Sequence, residues 1–322
     1  MFKKKEVTQT NVPTSTIAVK QLSLGQHIRK NWRLYLLLLI PVIYYIIFRY
    51  LPMAGSIIAF RKYRSGGNIF GVEWSGLKYF RQFIHDQSFW RAFGNTLRLN
   101  IVYLLFRFPL VLTFALLLNE IRNVHWKKFI QTVSYLPHFI SMVIVAGMVR
   151  ELLSASGPIN ALLQKIGFSG ISFMALPEWF TTIFVSSGLW QSLGWGTILY
   201  LAAMAGISPN LYEAAEIDGA NRFKRVIHIT IPSIMPTIAT LLILDFGGLV
   251  NSDAVFEKVF LLYNPMLYSK ADIISTYVYR MGLDSGNYSY GTAVGLFQGL
   301  INLTLLTIAN FASKKATGSS LW

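Results

Sequence analysis

Six long apolar runs constrain the fold of this chain more than any other feature of its sequence. A run of about 20 apolar residues crosses the hydrocarbon core of a bilayer as a helix. Only 13% of the 322 residues are charged, whereas soluble domains usually carry about 25%. The sequence therefore predicts an all-α, polytopic membrane protein with six transmembrane helices. The predicted spans are approximately residues 34–58, 96–118, 129–153, 180–205, 233–250 and 291–313.

The segments that flank the spans predict the orientation of the chain. Lys and Arg concentrate in cytoplasmic loops, and their distribution favours placing both termini in the cytoplasm, although the basic residues of segment 61–95 oppose this. The first run is too long for a signal peptide and lacks a small-residue cleavage site. The predicted organisation is a cytoplasmic N-terminal tail (1–33), a membrane domain (34–313) and a cytoplasmic C-terminal tail (314–322).

Composition argues against several classes of function. The net charge of +15 is spread over the loops, which indicates contact with membrane lipid rather than with nucleic acid. Cysteine is absent and the five histidines are far apart, so no metal site is expected. No phosphate-binding G-x-x-x-x-G-K-[ST] sequence occurs. We therefore expect no catalytic residue, no metal and no cofactor bound by this chain.

The polar segment 208–232, between the fourth and fifth runs, carries a motif with a defined spacing. Ser208 followed by Pro209 predicts the start of a helix, because serine caps helices and proline is tolerated at the first position. Gly219 is expected to end or bend this helix. The EAA tripeptide alone would also fit an ordinary surface helix. In order, the motif reads Glu213-Ala214-Ala215, Gly219 and Ile229-Thr230-Ile231-Pro232.

This order and spacing resemble the cytoplasmic coupling loop of permease subunits from binding-protein-dependent ABC importers. The sequence departs from the family pattern at Ile231, where leucine is commoner. The resemblance implies a type I ABC importer permease fold with a cytoplasmic coupling helix. It also implies that the residues contacting an ATPase are Glu213, Ala214, Ala215, Asp218, Gly219, Ile229 and Pro232.

Most of the chain, from about 34 to 313, resembles the carbohydrate-type permeases of these importers. The matching segments are 135–137, 213–232, 260–265 and 274–280, and the last two are similar to a subgroup that imports alginate or rhamnogalacturonan oligosaccharides. The resemblance implies a second permease subunit, two ATPase subunits that use ATP and Mg, an extracytoplasmic sugar-binding protein and a location in the bacterial inner membrane. It specifies neither the sugar nor whether the second permease is a different chain.

Polar residues within the fourth and fifth spans predict where a substrate passes, because such groups usually face the bundle interior or a water-filled path. Those of the fourth span recur at i, i+3, i+4 and i+7 and share a helical face. In the fifth span, Asp245, Leu249 and Ser252 repeat this pattern, with Asn251 beside them. Hydrogen bonding between helices is the alternative explanation. The predicted path residues are Gly188, Gln191, Ser192, Trp195, Asp245, Asn251 and Ser252.

Other intramembrane features leave alternatives open. A cation from Arg98, Arg107 or Arg150 near the path would favour an anionic, uronate-containing sugar, although snorkelling to the interface explains Arg98 and Arg150 equally well. The last span carries a double G-x-x-x-G sequence, from residue 291 to 299. Such spacing lets helices approach closely, and we expect packing within the subunit rather than a dimer seam.

The favoured function is that of the pathway-forming subunit of an ATP-driven oligosaccharide importer. The alternative is an ion-coupled secondary sugar transporter, a class that usually needs a buried titratable cluster or inverted repeats. Asp245 is the sole carboxylate deep within a predicted span, and no repeat is evident. An intramembrane enzyme would require paired carboxylates, a histidine cluster or a nucleophile elbow, and none is present.

Overall fold

Helices make up almost all of the regular structure. The computed structural model describes residues 24–250, 253–318 and 320–321. The chain divides into a unit that ends at Gly55 and a unit that begins at Ser56. Most of the predicted N-terminal tail and two predicted path residues, Asn251 and Ser252, lie outside the described residues.

The α-helices alternate with short helical segments of other types. Turns of 3₁₀ helix occupy Gly55–Phe60, Leu136–Phe139, Phe173–Ala175 and Pro265–Leu267, and π-helical turns occupy Ile46–Tyr50, Val226–Thr230 and Tyr279–Asp284. Two strands, β1 (Arg61–Lys62) and β2 (Glu73–Trp74), pair antiparallel with Arg61 opposite Trp74. The α-helices are Leu24–Lys30 (α1), Trp32–Tyr45 (α2), Leu51–Ala54 (α3), Lys78–Ile84 (α4), Gln87–Glu120 (α5), Val124–Tyr135 (α6), Met142–Leu152 (α7), Pro158–Lys165 (α8), Pro177–Ala205 (α9), Pro209–Ile217 (α10), Arg222–Arg225 (α11), Ile231–Ser233 (α12), Met235–Gly247 (α13), Asp253–Leu262 (α14), Tyr268–Ala271 (α15), Ile274–Val278 (α16) and Tyr288–Thr317 (α17).

The helices confirm the prediction of an all-α, polytopic membrane protein. Among the described residues, three helical runs are long and apolar enough to cross a membrane: Trp32–Phe60, α5 and α17. Two bent pairs qualify if each is counted as one span: the pair Val124–Phe139 and α7, and the pair Arg222–Ser233 and α13. Helix α9 is also long enough at 29 residues, but its polar face lowers its mean hydropathy. The five segments that qualify and α9 each overlap one of the six predicted runs.

The third predicted span is not one straight helix. The pair Val124–Phe139 and Met142–Leu152 is bent by 95°. Pro137 interrupts the backbone hydrogen bonding because it lacks an N–H donor. Ser141 then begins α7 as its N-cap, and its Oγ accepts from the backbone N–H of Ile144 at 3.5 Å. The predicted range 129–153 therefore contains a corner that hydropathy alone does not reveal.

The fifth predicted span, 233–250, is also shorter and more bent than expected. The chain turns by 63° between Ser233 and Met235, and α13 ends at Gly247. Glycine has low helix propensity, and two glycines in succession end the helix here. The helical repeat predicted to link Asp245 with Leu249 is therefore wrong, because Leu249 lies beyond the end of the helix.

Close backbone approaches explain several glycines. A Cβ atom at Gly194 of α9 would lie 2.2 Å from the carbonyl oxygen of Ser134, so only glycine allows α9 to approach α6 at this point. A Cβ at Gly291 would lie 3.1 Å from the Cα of Gly282, which confirms packing within the subunit for that residue. Among the described residues, no atom beyond the adjoining turns of α17 lies within 4 Å of a Cβ at Gly295 or Gly299. The expectation is therefore wrong for those two glycines.

Polar contacts hold the segment between α14 and α17 in place. The Nδ2 of Asn264 donates to the carbonyl oxygen of Met174 at 2.8 Å. The buried carboxylate of Asp272 accepts from the Nη2 of Arg280 at 2.7 Å, and this hydrogen bonding raises the pKa of Arg280. The first bond ties segment 260–265 to the turn Phe173–Ala175, and the second ties the end of segment 274–280 to the residue that follows α15.

Candidate functional sites

The segment that carries the EAA motif forms a short surface helix, as predicted. Helix α10 begins with Ser208 in an extended conformation at the N-cap and Pro209 at the first position. The side chain of Ser208 makes no capping hydrogen bond, so this part of the prediction is wrong. Proline alone supplies the start signal, since its fixed φ angle suits the first helical turn.

Gly219 ends the motif helix with a left-handed backbone conformation. Its φ angle is +75°, a region that residues with a Cβ adopt only with strain. Its N–H donates to the carbonyl oxygen of Glu216 at 3.1 Å, and the N–H of Ala220 donates to that of Ala215 at 2.8 Å. These bonds satisfy carbonyl groups at the end of the helix.

Two side-chain contacts tie α10 to the residues that follow it. The hydroxyl of Tyr212 lies 2.9 Å from the hydroxyl of the buried Thr230. The Nη1 of Arg225 lies 3.2 Å from Oε2 of Glu216. The helix therefore has a defined position relative to the segment that leads into α13.

The outer face of α10 is open to a partner. Ile217 is 88% exposed, the largest exposed fraction among the large apolar side chains of the described residues. Glu213 is exposed, and no ion pair joins it to another described residue. Among the other predicted coupling residues, Ala215 and Ile229 are half-buried and the rest are exposed. Their contact with an ATPase stays a prediction. The exposed residues of the predicted set are Glu213, Ala214, Asp218, Gly219 and Pro232.

A cavity of about 410 Å³ lies among α5, α9, α13 and α14 in the second unit, and we call it the polar cavity. All five predicted path residues within the described range line it: Gly188, Gln191, Ser192, Trp195 and Asp245. Its volume lies in the range typical of small-molecule sites. The remaining lining residues are Asn100, Tyr103, Leu104, Arg107, His138, Met142, Phe184, Leu244, Gly248, Leu249, Ala254, Val255 and Lys258.

Ser192 and Gln191 also hydrogen-bond to other segments of the chain. Hydrogen bonding between segments, the alternative explanation for polar residues within the spans, therefore applies to them as well. The hydroxyl of Ser192 donates to the carbonyl oxygen of Gly188 at 2.8 Å. The hydroxyl of Tyr103 on α5 lies 2.7 Å from the hydroxyl oxygen of Ser192. The Nε2 of Gln191 donates to the carbonyl oxygen of Ile140 at 3.2 Å. These bonds fix the side chains on the cavity wall.

Trp195 presents its indole to the cavity while it packs on a histidine. Its ring stacks on that of His138, with 4.4 Å between centroids and an interplanar angle of 7°. Trp195 nevertheless remains 42% exposed. Helical periodicity does not predict this contact, because His138 lies 57 positions before Trp195, next to the corner that divides the third span.

Arg107 and Asp245 form an ion pair between α5 and α13. The Nη1 of Arg107 lies 2.9 Å from each carboxylate oxygen of Asp245. Both residues, with Trp195 and Leu244, also line a second cavity of about 460 Å³. The pair therefore lies on the wall shared by the polar cavity and the second cavity.

Lys258 is the functional candidate that the sequence reasoning missed. Only 4% of it is exposed, although it lines the polar cavity. The adjacent Glu257 is exposed, so the acidic–basic dipeptide resembles an ordinary surface pair. Val255, Val259 and Leu262 surround Lys258 at helical spacing, and this apolar face was the signal that the lysine is buried.

Comparison with known proteins identifies the family. Residues 108–317 match the model of the binding-protein-dependent transport system inner membrane component. Protein LplB of Bacillus subtilis (strain 168) is 45% identical over 288 residues, 89% of this chain and 90% of LplB. The polygalacturonan/rhamnogalacturonan transport system permease protein YteP of the same strain is 43% identical over 283 residues, 88% of each chain.

Solved structures agree with this assignment. A chain of a bacterial ABC transporter involved in the import of the acidic polysaccharide alginate superimposes with a TM-score of 0.82 at 41% identity, covering 91% of this chain and 99% of that chain. A chain of a bacterial alginate ABC transporter in complex with an alginate pentasaccharide-bound periplasmic protein gives a TM-score of 0.84 at 41% identity, covering 92% and 99%. The protein is thus a permease of the binding-protein-dependent transport system inner membrane component family.

Proposed function

We propose that this chain forms, with a second permease subunit, the membrane path of an oligosaccharide through an ATP-driven importer. The observation that carries the proposal is the polar cavity, where hydroxyl, amide and indole groups from α5 and α9 meet. Hydroxyl and amide groups hydrogen-bond sugar hydroxyls, and an indole face packs against the apolar face of a sugar ring. The relatives named for alginate and for polygalacturonan/rhamnogalacturonan support this class of substrate.

The energy source in this proposal is a pair of partner ATPase subunits that bind ATP and Mg. The chain contains no P-loop sequence, so its own part is mechanical rather than enzymatic. An extracytoplasmic binding protein delivers the sugar, as the complex of the related alginate transporter with its periplasmic protein suggests. The second permease is proposed to be a different chain.

Orientation follows from the proposed contact with the ATPases. Helix α10 lies on the cytoplasmic side, and both termini lie there too. Along α9, the residues of the polar cavity precede those that line only the second cavity, such as Tyr200, and α10 follows α9. A sugar moving inward would therefore pass the polar cavity, then Arg107 and Asp245, then the second cavity.

The proposal is tested by the energy source of uptake. The complete transporter is reconstituted in proteoliposomes with its binding protein outside and ATP inside. We expect labelled oligosaccharide to accumulate with ATP and to persist when ionophores dissipate all ion gradients. Accumulation that does not depend on ATP and is abolished by the ionophores would instead establish an ion-coupled secondary transporter.

A further inference from the structure

Lys258 places a buried amine in the polar cavity, and burial lowers its pKa to about 7. Its Nζ donates to the carbonyl oxygen of Phe184 at 2.8 Å and lies 4.9 Å from the centroid of the Phe184 ring. An ammonium group has three N–H donors. Among the described residues, the carbonyl oxygen of Phe184 is the one acceptor to which the Nζ of Lys258 donates. The group is thus anchored, with donors left for a ligand.

The other charged groups of the cavity cancel one another. Arg107 donates to both oxygens of Asp245 at 2.9 Å, so that carboxylate already has a cationic partner. No ion pair joins Lys258 to any described residue. An ammonium group that is removed from water without a counter-ion is unfavourable. An anion in this cavity would relieve that penalty.

Gly188 makes room for the ammonium group at the cavity wall. A Cβ at this position would lie 2.9 Å from the Nζ of Lys258 and 2.8 Å from a ring carbon of Tyr103. Any larger residue at position 188 would displace one of them. The ammonium group therefore lies beside Tyr103, whose hydroxyl contacts Ser192, and a sugar could meet the charge and these hydroxyl groups together.

We propose that Lys258 binds a carboxylate of the transported sugar, so that the polar cavity prefers uronate-containing oligosaccharides to neutral ones. The inference rests on the proposed function, because it requires the cavity to be part of the sugar path. A carboxylate would accept charge-assisted hydrogen bonds from the ammonium group. Ser192, Gln191 and Trp195 on the same wall would contact the rest of the sugar.

The test compares an acidic sugar with its uncharged counterpart. The complete transporter, in nanodiscs and without its binding protein, is titrated with trigalacturonate and with its trimethyl ester. Lys258→Gln is the informative variant, because it keeps a donor for the Phe184 carbonyl but removes the charge. Lys258→Met removes both. Lys165→Gln is the matched control, since Lys165 is an exposed lysine of α8 that does not line the polar cavity.

We expect the wild-type transporter and Lys165→Gln to bind the acid about tenfold more tightly than the ester, a ratio equivalent to about 1.4 kcal/mol. Lys258→Gln should bring that ratio close to one by weakening the binding of the acid. An undiminished preference in Lys258→Gln, or no preference in the wild type, would overturn the subsite. If ATP-driven uptake of oligosaccharide persists in that case, only the subsite fails. If the wild type imports no oligosaccharide, the proposed function fails with it.

Discussion

The guanidinium of Arg107 and the carboxylate of Asp245 meet across α5 and α13, with one Nη atom 2.9 Å from both oxygens. Their side chains are about one-third exposed, and they line the polar cavity and the second cavity alike. The pair therefore joins α5 and α13 at the wall that the two cavities share.

Removing one partner of this pair should destabilise the protein more than removing both. Asp245→Leu leaves the arginine without its counter-ion, at a cost of about 1–3 kcal/mol, less than the loss expected for a fully buried pair. The double variant Arg107→Met with Asp245→Leu should recover most of that loss, because no unpaired charge remains. The midpoint of thermal unfolding in one fixed detergent gives the comparison.

The pair formed by Glu216 and Arg225 is the matched control. The Glu216 side chain is 69% exposed, and exposed pairs contribute about 0–1 kcal/mol. Glu216→Gln should therefore leave the unfolding midpoint almost unchanged. Equal midpoints for Asp245→Leu and the double variant would contradict a stabilising role for the Arg107–Asp245 pair.

Trp195 should affect transport without affecting assembly. Trp195→Ala removes the indole that stacks on His138 and faces the polar cavity. We expect uptake to fall by about tenfold, the loss of roughly 1.4 kcal/mol, while the complex still assembles and keeps its basal ATP hydrolysis. Trp195→Phe, which preserves an aromatic face, should retain more uptake. Uptake at the wild-type rate by Trp195→Ala would show that Trp195 is not part of the sugar path.

The sequence was sufficient to predict the helical fold because hydropathy and length determine where helices can cross a bilayer. It also located α10, since Pro209 and Gly219 are local signals with local consequences. The corners within the third and fifth spans were missed. A proline or a glycine pair within an apolar run does not reveal how far neighbouring helices let the chain turn.

The composition of the polar cavity was predictable only in part. Gln191 and Trp195 share a face of α9, so their meeting follows from helical periodicity alone. Lys258 and Arg107 reach the same cavity from helices whose packing the sequence does not specify. Whether each of these basic side chains has an ion-pair partner depends on the tertiary structure, because the fold determines which carboxylates lie within hydrogen-bond distance.

Glu213 and Gly219 should control the proposed contact with the ATPase. Glu213→Lys reverses an exposed charge for which the described residues offer no ion-pair partner, and Gly219→Val strains a left-handed backbone by about 1–3 kcal/mol. Both variants should insert in the membrane, but they should retain less ATPase on purification and lose hydrolysis stimulated by the loaded binding protein. Lys165→Gln is the control here, because Lys165 is an exposed residue of α8, outside the motif segment. Wild-type association, stimulation and uptake in both variants would refute the coupling assignment.

The most direct test of the account uses Ile217, which is 88% exposed on α10. The chain contains no cysteine, so Ile217→Cys introduces a single thiol into it. We expect a membrane-impermeant maleimide to label this thiol in inside-out vesicles that contain the permease pair alone, and assembly with the ATPase subunits to protect it. Labelling from the outside of intact cells, or labelling that the ATPases leave unchanged, would contradict a cytoplasmic coupling helix.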